Sequence, residues 1–251
     1  MKVDKNVFLV KNFYNYEKVI GPPPNLPNNF VKVYLTDNQI NYELAINLGW
    51  DIVKKTEEFL HINDSFERRK VIAYINAFPH KVVPEILDYN FVFVCDSNII
   101  TLWDEYINFI NNCSSDHALF VTSGYYSGDK FKKLATNRDT IMSELEFSFH
   151  LDRWAYNHNE IRESSNRYIQ ELKENNVDIT KLSVVSAKYI GWNLRHEKYN
   201  FLSEMLYSEC CKHLQGNIIL TYMCGLYPNI VYNYHTNNYK GGSLNAHNYS
   251  A

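Results

Sequence analysis

At 251 residues and 45% hydrophobic composition, the chain is long enough to enclose a sizeable core as one large domain. A formal net charge of -3 gives no basic field for following phosphates along a nucleic acid, so DNA and RNA are not expected partners. No run of about 18 apolar residues is present, so no transmembrane segment is expected.

The opening segment, Met1 to Asn6 and then Val7-Phe8-Leu9-Val10, is too short in its apolar part for a signal peptide and reads as a first strand, Asn6 to Val10. Gly21 to Pro27 holds four prolines, which fix φ and remove donors, and predicts a surface connection. Val31 to Leu35 is a second strand. Asn38 to Leu48 has the spacing of a short helix, with Gly49 where a capping glycine belongs. Trp50 to Val53 starts a third strand, and Ser65 to Ala77 reads as a helix with Ser65 as N-cap, stopping before Pro79. Phe91 to Cys95 is a further strand, followed by a helix over Leu102 to Asn111 and a strand over Leu119 to Thr122. Thr140 to Leu172 carries helical stretches, Phe201 to Leu214 is a helix, and Asn217 to Met223 is a buried helix or strand. The remainder, Asn233 to Ala251, reads as a loop or lid. Strands alternating with amphipathic stretches predict an α/β fold, a single domain with a mostly parallel central sheet flanked by helices. The five cysteines, Cys95, Cys113, Cys210, Cys211 and Cys224, form no CxxC pair and predict thiols in a reducing compartment, hence a cytoplasmic protein.

In such sheets ligands collect beyond the carboxyl ends of the strands, which directs attention to the residues just after each apolar run. The strand Phe91 to Cys95 ends in Asp96-Ser97-Asn98, two oxygen-bearing side chains two residues apart. Hard cations such as Mn²⁺ or Mg²⁺ take such ligands and leave positions for phosphates; a simple Asx turn is the alternative. Asp37 stands past the second strand, placed to accept from a base or ribose or to cap the following helix. Val10, Lys11 and Asn12, at and just past the end of the first strand, are taken as nucleotide contacts. Arg68, Arg69 and Lys70 near a helix start, and Pro79-His80-Lys81 further on, offer cations for a pyrophosphate or a solvated basic face; Arg69 and Lys70 are taken as the contacts. Glu144 and Glu146 are candidate catalytic bases, with His150 and Asp152 as neighbours. Gln215-Gly216-Asn217 and the stretch from His235 to Gly242 could fold over a diphosphate, with His235 as a metal ligand and Lys240 on phosphate. There is no G-x-S-x-G elbow, P-loop, G-x-G-x-x-G or H-E-x-x-H, so hydrolase, nucleoside triphosphatase, dehydrogenase and zinc-protease readings lack support.

The order Leu35-Thr36-Asp37-Asn38, Gly49-Trp50, Arg69, Pro79-His80-Lys81, Asp96-Ser97-Asn98-Ile99 resembles GT-A glycosyltransferases, in particular the small glycosyltransferase-like domains of large algal DNA viruses and their bacterial and plant relatives. The resemblance runs over residues 6–234, with its landmarks in about the first hundred. It implies a nucleotide-sugar half at about 1–125, an acceptor half at about 126–235 and a tail at 236–251. It further implies transfer from a nucleotide sugar, UDP-sugar favoured, to a hydroxyl of a glycan or glycoprotein. Asp96-Ser97-Asn98 stands where the family has a D-x-D triplet holding Mn²⁺ or Mg²⁺, and Asn98 keeps an oxygen but loses a charge. His235 and Lys240 echo a late histidine and lysine of some members, and the block from Trp192-Asn193 to Gln215-Gly216-Asn217 resembles the acceptor side. A viral member would act in the host cytoplasm. The alternative is a protein of the same fold that binds a nucleotide sugar or a partner without turnover.

Overall fold

The computed structural model describes residues 6–14, 21–97, 110–111, 113–123, 158–179, 182, 185–213 and 216–235. They form an α/β fold around one seven-stranded sheet. The strands are β1 (Asn6–Asn12), β2 (Phe30–Thr36), β3 (Ile52–Lys55), β4 (Phe91–Asp96), β5 (Leu119–Ser123), β6 (Val185–Asn193) and β7 (Val231–His235). Their order across the sheet is β3-β2-β1-β4-β6-β5-β7. All run in one direction except β6, which is antiparallel to both β4 and β5. The sheet is therefore mostly parallel, as expected. The described helices are α1 (Gln39–Asn47), α2 (Ser65–Ala77), α3 (Pro79–Val82), α4 (His158–Glu174), α5 (Tyr199–His213) and α6 (Gly216–Leu226). None is long and apolar enough to cross a membrane.

Local chemistry sets the boundaries. Asn38 caps α1, its side chain accepting the Asn41 N–H at 3.0 Å, and Gly49 follows the helix at φ +83, a left-handed value that favours glycine. Asp64, rather than the expected Ser65, caps α2 by accepting the Glu67 N–H at 3.0 Å; Ser65 is already the first helical residue. The third strand starts at Ile52 instead of Trp50, because Trp50 is buried and its indole N–H donates to the Gly21 carbonyl at 3.2 Å. The ambiguous Asn217 to Met223 is helical and lies in α6, which buries residues on all sides, so no amphipathic stripe marked it as helix. Two strands escaped the sequence reading. In β6, Ser186, Lys188 and Gly191 interrupt the apolar pattern, and β7 continues through Asn233 and Tyr234, where a loop had been expected.

The two faces of the sheet differ in chemistry. On one, Val7, Leu9, Val33, Leu35, Val92 and Val94 pack on Val71 and Ile75 of α2, and the layer continues beneath α4, α5 and α6. The other carries Phe8, Tyr34, Phe93, Phe120 and Tyr189, with Trp50 and Ala45 of α1 against them. Full burial of each such side chain stabilises by about 1.5–3 kcal/mol. Trp192 locks the layers together: it is fully buried, and its indole N–H donates to the Asn76 carbonyl at the end of α2, 2.7 Å away.

Candidate nucleotide site at the carboxyl edge of the sheet

From β1 the chain passes to β2 and β3 on one side, and then returns to lay β4 on the other. In open α/β sheets ligands bind where the strand order reverses in this way, here beyond the carboxyl ends of β1 and β4. In register, Lys11 stands beside Asp96 and Asn12 beside Thr36, and the ladder closes with the Ser97 N–H donating to the Lys11 carbonyl at 3.1 Å.

Side-chain alternation divides these residues between the faces. Lys11 shares the parity of Leu9, and Asp96 that of Val94, so both lie on the α2 face. The Lys11 ammonium pairs there with the Asp96 carboxylate; the lysine side chain is 3% exposed and the aspartate 37%. A lysine buried in a central strand needs such a partner. Asn12 takes the other face. It is 2% exposed, and neither its Oδ1 nor its Nδ2 finds a partner among the described residues. Native proteins leave very few buried polar atoms in that state.

Beside them, Asp37 is buried and its Oδ2 accepts the Tyr14 N–H at 2.8 Å, while Oδ1 is buried and unpartnered among the described residues. Capping of α1 falls to Asn38, so the carboxylate of Asp37 is not engaged as a cap. Burial raises the Asp37 pKa above its ordinary value, opposed by the Tyr14 hydrogen bond and by the charge of Arg68. Tyr14 adopts φ 63, an uncommon left-handed conformation for a bulky residue. The bond to Asp37, ring contact with Phe13 at 6.1 Å and the Arg68 guanidinium 4.7 Å from the ring centroid hold it there. Burial, then the Asp37 charge, push the Tyr14 phenol up to about 12.

The cations divide by position along α2. This helix joins two parallel strands, so its start lies at the carboxyl edge and its end at the amino edge. Arg68 reaches Tyr14; Arg69 is half-buried beside it, and Lys70 pairs with Glu67 at 2.7 Å. His80 and Lys81 follow the far end of α2, roughly 15–20 Å away. There His80 Nδ1 meets the Tyr199 hydroxyl at 2.8 Å and Lys81 lies over the Phe78 ring at 4.0 Å, so these two do not join the phosphate-side cations. Trp192 and Asn193, expected on the acceptor side, are buried; Asn193 donates to the Ser115 carbonyl at 3.1 Å and accepts from the Arg195 N–H at 3.1 Å. Asn217 sits in α6 and accepts the Ala187 N–H of β6 at 2.8 Å, a structural bond and not part of a lid.

Asn98, Glu144, Glu146, His150, Asp152 and Lys240 lie outside the described residues. His235 ends β7 on the same carboxyl edge, its Cα paired with Ser123, and its side chain is likewise outside the description. Between β4 and β7 lie three strand spacings, roughly 14 Å. Among the described residues no three His, Cys, Asp or Glu side chains form a metal-binding group. Tyr14 was missed in sequence and Arg68 passed over, and both owe their place to a backbone turn that no periodicity announces.

No family model matches the chain, and no curated protein does either. Solved structures with similar coordinates include apo mouse xyloside xylosyltransferase 1, at 9% identity and a TM-score of 0.49, covering 91% of this chain and 84% of that one. Another is core-mannan synthase A from Aspergillus fumigatus in its Mn/GDP form, at 10% identity and a TM-score of 0.41, covering 91% and 72%. A third is the mannosyltransferase Ktr4p from S. cerevisiae, at 11% identity and a TM-score of 0.33, covering 86% and 64%. None of these three is viral.

Proposed function

We propose that this protein moves a sugar from a nucleotide-diphosphate sugar, UDP-sugar favoured, to a hydroxyl of a glycan or glycoprotein. The observation that carries the reading is that Lys11, Asn12, Asp37 and Asp96 all stand at the carboxyl ends of β1, β2 and β4, beside the switch in strand order, with Asn12 on the face opposite Lys11 and Asp96. The landmarks from Leu35 to Ile99 supply the GT-A class.

Each group has a matching part of the donor. Asn12 offers an amide donor and acceptor side by side, the complement of a uracil imide edge, and neither atom has a partner among the described residues. The unpartnered Oδ1 of Asp37 suits a ribose hydroxyl. Lys11 and Arg68 face the phosphates, where fixed cations stabilise the charge that grows on the departing diphosphate. Glu144 or Glu146 would take the acceptor proton in an inverting enzyme.

Mn²⁺ or Mg²⁺ was expected on Asp96, Asn98 and His235. Of these three, Asp96 alone has its side chain among the described residues, and there the Lys11 ammonium engages its carboxylate. The same pairing supports a second reading, a protein of this fold that binds the nucleotide without turnover.

Thermal unfolding with UDP, GDP, CMP and dTDP, followed by an assay for UDP release from UDP-sugars, separates these accounts. A donor site raises Tm by several degrees at saturating nucleotide, about 2.7 kcal/mol at a hundredfold excess over Kd. A shift together with UDP release supports the transferase, and a shift without release supports the binding protein. No shift with any nucleotide removes the donor site.

A further inference from the structure

We infer that the Lys11 ammonium is the resident cation of the diphosphate site, and that a nucleoside diphosphate binds there without a divalent metal. This rests on the nucleotide-binding reading above. Three observations lead to it.

The first is burial. Lys11 lies in the middle of the sheet with β2 on one side and β4 on the other, 4% exposed, where a lysine is held only by a charge partner. The second is valence. An ammonium has three N–H donors, and Asp96 is its one partner among the described residues, so the head group can accept more oxygen ligands. Beside it the Asp96 side chain is 37% exposed, so the pair opens outward at the carboxyl edge. The third is charge. With Asp96 neutralised by Lys11, a dication would meet no net negative charge from this pair and an ammonium at close range. A diphosphate meets the opposite situation: its oxygens take the remaining ammonium donors in charge-assisted hydrogen bonds.

Asp96 thus becomes a positioning residue for Lys11. It holds the ammonium at the strand end, and it competes with phosphate for the same N–H donors.

The test is calorimetric titration of UDP and GDP into the full-length protein, once in EDTA and once in Mn²⁺. Equal affinity in the two buffers, within about threefold, is expected, with Lys11→Met weakening binding in EDTA about tenfold or more. Asp96→Asn removes the competing charge but keeps an oxygen beside the ammonium, and binding in EDTA is expected to persist within about threefold. Circular dichroism establishes that each variant is folded; Asp96→Asn serves alone should Lys11→Met not fold. Wild-type binding that appears only with Mn²⁺, and is lost in Asp96→Asn, would overturn the inference and leave the nucleotide site standing. Unchanged EDTA binding in folded Lys11→Met would also overturn it. No binding of either nucleotide in either buffer defeats the site itself, and the inference with it.

Discussion

Asp37 burdens the fold with a buried carboxylate, which its proposed role toward a ribose hydroxyl would explain. Its carboxylate is buried with one oxygen satisfied by Tyr14 and the other unpartnered among the described residues. Its pKa is therefore raised above the 3.8 of an unperturbed aspartate. In the window just above 3.8 the native state holds more protons than the unfolded chain, so stability falls as pH rises through it. Asp37→Asn keeps an acceptor for the Tyr14 N–H and removes the buried charge. It is expected to stabilise by about 1 kcal/mol near neutral pH, a Tm rise of about 2–4 °C, while weakening nucleotide binding. The gain should vanish below the unfolded pKa, where both side chains are neutral. Differential scanning calorimetry across pH checks this, and an unchanged or lower Tm near neutrality would refute it. Asp37 and Asp96 were legible in sequence because each follows an apolar strand directly. Tyr14 was not, since a left-handed residue other than glycine leaves no trace in composition.

At the scale of elements, the legible parts were those with a strong local rule. Apolar runs gave β1, β2 and β4, proline and glycine gave the connections, and asparagine and glycine bounded α1. The middle of β6 was opaque because its rule is set by neighbours. Gly191 lies in register with Phe93 on one side and Phe120 on the other. A Cβ at Gly191 would lie 2.8 Å from two Phe93 ring carbons and 3.1 Å from the Phe120 Cβ. The glycine is required by two aromatic rings remote in sequence. Gly191→Ala is expected to cost about 1–3 kcal/mol through overpacking. Urea unfolding should show a lower midpoint at unchanged slope. Trp192, the next residue, invites the opposite experiment. Trp192→Phe deletes the donor to the Asn76 carbonyl and opens space in a fully buried site, for a loss of about 2–4 kcal/mol. A variant as stable as the parent would show that this bond does not fasten α2 to the sheet.

On the scale of the whole molecule, the mostly parallel α/β plan was predictable, because alternating strands and helices leave few alternatives. The reversed strand was not, for direction within a sheet leaves no mark on a short apolar run. The order across the sheet also interleaves earlier strands with later ones. By sequence β5 belongs with the first four strands, yet its neighbours are β6 and β7. A fragment of residues 1–125 would carry β5 with no strand to pair with. It is expected to unfold without a cooperative transition, whereas a sharp melt by circular dichroism would mean that the amino-terminal part is independently stable.

That interleaving matters while the protein is being made. The edge of β4, with the sequence Phe-Val-Phe-Val-Cys-Asp, is completed by β6, which begins about 90 residues later. At roughly 5–20 residues per second, the ribosome leaves this apolar edge open for on the order of 5–20 s. Open edges of this composition recruit other strands. The nascent chain therefore passes through an interval in which the finished fold does not yet cover this edge.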